Sequence, residues 1–166
     1  MKCTECRQSE MVSTREAYRF VESGLPNVVL LDTEIRTCPK CGARGAVIPD
    51  VEGLHRTLAL AIISQPNPLV PHEVRFLRKW LGWSGVDFAR HMGVTAETVS
   101  RWESADSGKP ISATADRLLR VLVARGEPVA SYPTEKLAEI EETPKSKRAR
   151  YELHRGKRWE AESVAA

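Results

Sequence analysis

Four cysteines with a regular spacing are the residues of this sequence best suited to chemistry. Cys3 and Cys6 form one C-x-x-C pair near the start, and Cys38 and Cys41 form a second pair after 31 intervening residues. Two-residue spacing lets both sulfurs of a pair converge on one point, and two such turns supply a closed tetrahedral set of four thiolates. A closed site leaves no position for water or substrate and is therefore structural. The pattern predicts one structural metal ion held by all four cysteines.

The identity of the metal and the role of the thiols have alternatives. Structural Zn²⁺ is the cofactor that we expect, although the stretch CPKCG also looks like a rubredoxin turn and four thiolates bind iron as well. A redox dithiol needs a single C-x-x-C near a βαβ pattern, whereas this sequence has two pairs and no such pattern. Cysteines that only fill a core would have no reason to repeat this spacing. A metal site is thus the preferred interpretation.

A second set of residues has the chemistry for contacting nucleic acid. It lies on the outer face of a short helix predicted to begin after the capping residue Thr95, with Val99 and Trp102 facing inward. Arg101 can donate two hydrogen bonds to a guanine, and Glu97 can accept one from a cytosine amino group. Small and hydroxyl side chains beside them suit close approach to bases and phosphates. The candidate DNA-contacting residues are Ser84, Thr95, Ala96, Glu97, Thr98, Ser100 and Arg101.

The same face has a simpler interpretation as a solvated helix surface. Glu97 precedes Arg101 by four residues, the favourable order for a surface ion pair of about 0.2–0.5 kcal/mol. The charge distribution favours the nucleic-acid interpretation: residues 71–125 carry nine Lys/Arg against six Asp/Glu, which accounts for the whole net charge of +3. A local basic excess is a mild indication of a nucleic-acid partner.

Four short predicted helices position that face. The first begins at Pro71 and ends at Gly82, and the others begin after the capping residues Ser84, Thr95 and Ser112. Short helices joined by a glycine-containing turn within a compact helical set are typical of a helix-turn-helix.

The segment between the cysteine pairs is predicted to form strands at residues 17–23 and 28–37. Because a domain this short can bury only a small hydrophobic core, we expect the metal ion to supply its folding free energy. In this interpretation Cys38→Ser unfolds residues 1–45 and leaves the helices intact.

The last segment, residues 126–166, has a Lys/Arg cluster with weak apolar periodicity. This pattern predicts a solvated tail, although contact of the basic run with DNA is an alternative. The predicted fold is α+β, with a small β-rich zinc-binding domain at residues 1–50, a connecting helix and linker at 51–70, an all-α helix-turn-helix DNA-binding domain at 71–125, and a charged, largely disordered tail at 126–166.

The cysteine quartet and the stretch LRKWLGWSGVDFARHMGVTAETVSRWES together resemble the MqsA-type antitoxins, also described as YgiT-type zinc-finger proteins. The segment with the four cysteines resembles their zinc domain, and the quoted stretch resembles their Xre/Cro-type helix-turn-helix. The resemblance therefore covers about residues 1–125. It implies a homodimer whose helix-turn-helix binds operator DNA and autoregulates. It also implies that the zinc domain binds a toxin, an mRNA-cutting ribonuclease. We expect the dimer surface near Leu119 and Leu122, although core packing explains the same residues.

Three classes of function differ in how much of the sequence they explain. A sequence-specific transcription regulator, autoregulating as the antitoxin of a type II module, explains both halves of the chain. A rubredoxin-like iron electron carrier with a helical docking domain is the alternative, but it leaves the helix-turn-helix unexplained. An enzyme is not expected, because the sequence has no nucleophile elbow, phosphate-binding glycine loop or recognisable carboxylate pair. No apolar run approaches the roughly 20 residues of a membrane span and the start lacks a signal-peptide region, so we expect a cytoplasmic protein.

Overall fold

A computed structural model of the protein describes residues 1–126 and 149–165. Within those residues the fold is α+β, as the sequence predicts, with a five-stranded sheet packed against helices. The strands are β1 (Val12–Arg19), β2 (Val28–Thr37), β3 (Arg44–Val47), β4 (Ala149–Arg155) and β5 (Trp159–Ala165). The helices are α1 (Val51–Ser64), α2 (Pro71–Trp80), α3 (Gly85–Met92), α4 (Ala96–Trp102) and α5 (Ala113–Gly126).

Strand β2 is the centre of the sheet. β1 pairs with it antiparallel along one side, while on the other side β4 pairs parallel with its first half and β3 antiparallel with its second half. Its buried residues shift phase from Val28 and Leu30 to Thr33 and Ile35, because Asp32 adopts a left-handed conformation (φ 51°) in a β-bulge against β1. The bulge keeps apolar residues on the core side along the whole strand.

The predicted starts of α3 and α4 are confirmed in atomic detail. The Ser84 hydroxyl accepts a hydrogen bond from the Asp87 N–H at 3.1 Å, and the Asp87 carboxylate accepts one from the Ser84 N–H at 3.2 Å, which completes a capping box. The Thr95 hydroxyl accepts from the Thr98 N–H at 3.3 Å. Between the two helices Gly93 has a φ of 65°, which lets the chain turn sharply.

One hydrophobic cluster joins the sheet to the helices. It runs through the described residues from Phe20 to Trp159. Helix α1 lies at its centre, with Leu54, Leu58 and Ile62 fully buried, and it packs against α2, α5 and β5. The core therefore continues across residues 66–70, where the sequence suggests a boundary.

Residues 149–165 correct the expectation of a disordered tail. They form a hairpin, β4–β5, that adds to the sheet beside β2 through the pairs of Val28 with Tyr151 and Leu30 with Leu153. Tyr151 and Leu153 alternate with charged residues, so one face of β4 enters the core while the other carries the charge. The average composition of residues 126–166 does not show that alternation. Residues 127–148 of the predicted tail lie outside the described part of the chain.

The burial of Leu119 on α5 agrees with the core-packing alternative for that residue. Leu119 is fully buried in its own chain and Leu122 is half-buried, whereas Leu118 and Val121 are each 40% exposed. Asp116 and Arg120 are buried as well: the Arg120 guanidinium donates to the Asp116 carboxylate at 2.5 Å and to the Gln65 carbonyl at 2.6 Å. A buried ion pair that also binds loop carbonyls fixes the connection between α1 and α2.

Candidate metal centre and nucleic-acid interface

The four cysteine sulfurs converge at one end of the sheet, as the spacing predicts. All four Sγ atoms lie within 4.8 Å of one another, with Cys3 3.7 Å from Cys41 and Cys6 3.6 Å from Cys38. A tetrahedral ion with metal–sulfur bonds of about 2.3 Å places its ligands about 3.8 Å apart. The sulfur positions therefore fit a four-thiolate metal centre.

The two cysteine turns have the same backbone form. The Arg7 N–H donates to the Cys3 carbonyl at 3.1 Å, and the Gly42 N–H donates to the Cys38 carbonyl at 2.9 Å. Gly42 has a φ of 74°, and Arg7 has a φ of 56° at the matching position of the first turn. β2 ends immediately before Cys38, so the sheet delivers the second turn to the first.

The thiols of Cys3, Cys38 and Cys41 differ in pKa, and hydrogen bonds from backbone N–H groups contribute to the difference. The N–H groups of Cys41 and Lys40 point at the Cys38 sulfur and lower its pKa to about 6. The Cys6 N–H likewise lowers the pKa of Cys3. The Ala43 N–H lowers the pKa of the Cys41 thiol. The hydrogen bond of Cys41 with Cys38, burial and the other sulfurs together have a larger opposite effect, and they raise this pKa to about 12. A bound divalent cation would supply the charge that allows all four sulfurs to ionise.

The helix-turn-helix places α4 as an outward-facing element. Val99 and Trp102 are buried, as predicted, and the Trp102 ring meets Phe88 of α3 edge-on with centroids 6.2 Å apart. Trp83, in the loop before α3, stacks on His91 with centroids 4.0 Å apart. These contacts hold α3 and α4 together and leave the opposite face of α4 to the solvent.

Six of the seven candidate DNA-contacting residues are exposed, and Thr98 is half-buried. Ser84 caps α3, whereas the other exposed candidates belong to α4 or its cap: Thr95, Ala96, Glu97, Ser100 and Arg101.

The expected surface ion pair between Glu97 and Arg101 does not form. Within the described part of the chain the Arg101 guanidinium has no ion-pair or hydrogen-bond partner. The Glu97 carboxylate accepts from its own backbone N–H and from the Thr95 hydroxyl, which lowers its pKa, and Arg101 adds a smaller electrostatic effect. An unpaired guanidinium is thus exposed on the outer face of α4.

Arg78 connects the two helices of the motif, and the sequence does not reveal this role. Its guanidinium donates to the Glu103 carboxylate at 2.5 and 3.0 Å and to the Trp83 carbonyl at 2.7 Å. The Glu103 side chain, which follows α4, is only 8% exposed, and its carboxylate raises the pKa of Arg78. One side chain therefore fixes the end of α4 and the loop that begins α3. The two partners lie 25 residues apart, so no local pattern pairs them.

Residues 74–122, from α2 into α5, match a family model described as a helix-turn-helix, of the Xre type. The match supports a DNA-binding transcription regulator and coincides with the geometry described above. Searches of curated proteins and of solved structures found no match. In the part of the chain that the structure describes, no helix is both long and apolar enough to cross a membrane.

Proposed function

We propose that the protein is a sequence-specific DNA-binding transcription regulator that reads its operator with α4. The observation that carries this proposal is the helix-turn-helix match over residues 74–122, within which the exposed face of α4 presents an unpaired guanidinium. Arg101 is the base reader, bidentate to a guanine. Glu97 accepts from a cytosine amino group, while the hydroxyls of Thr95 and Ser100 and the Ser84 cap contact phosphates.

The structural metal in this proposal is zinc, held by Cys3, Cys6, Cys38 and Cys41. The sulfur separations of 3.6 and 3.7 Å and the all-thiolate donor set support it, and both also suit iron. Elemental analysis of protein purified without chelator should find one zinc per chain. One iron per chain with a red colour would favour the electron-carrier alternative, and the absence of stoichiometric metal would contradict a metal centre.

The regulator is further proposed to act as an autoregulating antitoxin. A four-cysteine domain followed by a helix-turn-helix supports this role through the resemblance of both parts to MqsA-type antitoxins. In that role the protein is a homodimer on a palindromic operator, and its zinc domain binds a ribonuclease toxin. A small ribonuclease-like reading frame beside the gene is the expected finding, and its absence would favour a plain repressor. Sedimentation that finds a monomer at micromolar concentration would refute the dimer.

DNA binding itself is tested by a gel-shift titration with the region upstream of the gene. The protein should bind this fragment more tightly than a shuffled fragment of the same length and composition. A ratio of about 10³ or more between specific and non-specific affinity is typical of such regulators. Equal affinity for both fragments at all salt concentrations would contradict sequence-specific recognition.

A further inference from the structure

The β4–β5 hairpin carries a cluster of cations at its tip that the helix-turn-helix does not include. The cluster consists of Arg155, the last residue of β4, and of Lys157 and Arg158 in the turn that follows, and all three are exposed. None of the three has an ion pair or a side-chain hydrogen bond in the described part of the chain. Exposed cations that no acidic side chain neutralises are available to an external anion.

The tip is mounted rigidly on the core. The Gly156 N–H donates to the Arg158 carbonyl at 3.0 Å, which closes the turn. Trp159 follows at once, is 8% exposed, and donates from its ring nitrogen to the Asp50 carbonyl at 3.2 Å. Because the first residue of β5 is fixed in this way, the three cations have a defined position relative to α1.

The tip lies beside the helix-turn-helix. Arg158 and Trp80, the last residue of α2, line the same surface groove, together with Arg56 of α1. The chain reaches Ser84, the cap of α3 and a candidate phosphate contact, four residues after Trp80. Arg158 at the hairpin tip is therefore near the end of α2, just before the DNA-contacting part of the motif begins.

Acidic side chains also lie near the tip. Asp50 and Glu52 line the same groove as Arg158, and Asp32 and Glu34 line a second groove together with Arg155. The Asp50 carboxylate caps α1, whereas Asp32 and Glu34 pair with other arginines. In the described residues, therefore, none of these carboxylates forms an ion pair with a cation of the tip.

We propose that the β4–β5 tip is a second, sequence-independent DNA contact in which Arg155, Lys157 and Arg158 bind phosphates beside the site read by α4. This inference rests on the proposed function. Guanidinium and ammonium groups in an exposed turn match phosphate oxygens, and contacts of this kind set register and affinity without reading bases. Each phosphate neutralised releases counterions, so the contact is visible in the salt dependence of binding.

The test compares two variants that each remove three positive charges. The first is Arg155→Ser/Lys157→Ser/Arg158→Ser. The control, Lys2→Ser/Arg7→Asn/Lys40→Ser, removes three exposed cations from the cysteine turns, with Asn at position 7 because it tolerates a positive φ. Operator affinity is measured from 50 to 300 mM salt, with thermal melting and metal content measured in parallel to establish that each variant is folded.

The tip variant should bind the operator roughly 10- to 100-fold more weakly near 0.15 M salt, with a log–log salt slope shallower by up to about 2.7. Its ratio of operator to shuffled-DNA affinity should stay unchanged, and the control should keep the wild-type slope. A wild-type slope in the folded tip variant would overturn the inference, as would an equal loss in the control. Loss of single-stranded RNA binding with unchanged DNA binding would also overturn it and assign the tip to RNA. Wild-type protein that fails to bind its operator would instead contradict the proposed function itself.

Discussion

His55 illustrates what burial does to a single side chain in this core. It lies half-buried on α1 between the rings of Phe20 and Phe76, with centroids 6.0 and 5.8 Å away. Its Nε2 atom is buried and has no hydrogen-bond partner in the described residues. Burial therefore lowers the pKa of the imidazole, because the charged form loses its hydration.

The lowered pKa of His55 predicts a loss of stability in mild acid. The unfolded chain takes up a proton near pH 6.5, whereas the folded imidazole does so only at a lower pH, so the free energy of unfolding falls as the pH decreases below about 7. Urea titrations at several pH values should give this decline in the wild type and a weaker one in His55→Phe, which keeps the ring contacts. An equal decline in both proteins would contradict the role of His55.

At the scale of elements, Arg78 is the contact on which the arrangement of α3 and α4 depends most. Arg78→Met leaves the buried Glu103 carboxylate without its main partner and should cost about 3 kcal/mol, the low end for breaking a buried pair. Arg75 offers a matched control: it bonds the same carboxylate at 3.3 Å but is 54% exposed, so Arg75→Met should cost about 1 kcal/mol or less. Equal losses in chemical denaturation of the two variants would contradict the proposed difference.

The elements divide clearly into those that the sequence predicts and those that it does not. The caps Ser84 and Thr95 and the cysteine spacing are local patterns, and local patterns predict helix starts and turn geometry well. The sequence does not predict the hairpin, because its charged face dominates the composition of the segment, although Tyr151, Leu153 and Trp159 flank Gly156 with the spacing of paired strands. A three-residue pairing with β2, more than 100 positions earlier, leaves no trace in local sequence.

At the scale of the whole molecule, β2 and the hairpin together connect the sulfur cluster to the helix-turn-helix. β2 ends at Thr37, before Cys38, and its first half pairs with β4. The Tyr151 hydroxyl on β4 donates to the Glu73 carboxylate of α2 at 3.3 Å, and the same carboxylate accepts from the Val70 N–H at 3.0 Å. A continuous path of hydrogen bonds and core contacts therefore links the sulfur cluster to α2.

This continuity changes the expected effect of metal removal. The sequence alone suggests that Cys38→Ser unfolds residues 1–45 and spares the helices. With β2 in the centre of a shared core, we expect chelation under reducing conditions to lower the melting temperature of one cooperative transition, and zinc to restore it. Calorimetry that resolves two transitions, with the helical one unaffected by chelator, would contradict this coupling.

The central claim is that α4 reads DNA, and Arg101→Ala tests it most directly. Arg101 has no partner in the described structure, so its truncation should leave the melting temperature nearly unchanged, whereas Trp102→Ala removes a buried aromatic ring and should cost about 3–5 kcal/mol. In a gel-shift titration against the upstream region, Arg101→Ala should weaken operator binding by about 1–3 kcal/mol and relax preference at one base pair. An even loss across all sequences, with a shallower salt dependence, would reassign Arg101 to a phosphate. Unchanged operator affinity in a fully folded Arg101→Ala protein would contradict the assignment of α4 as the recognition helix.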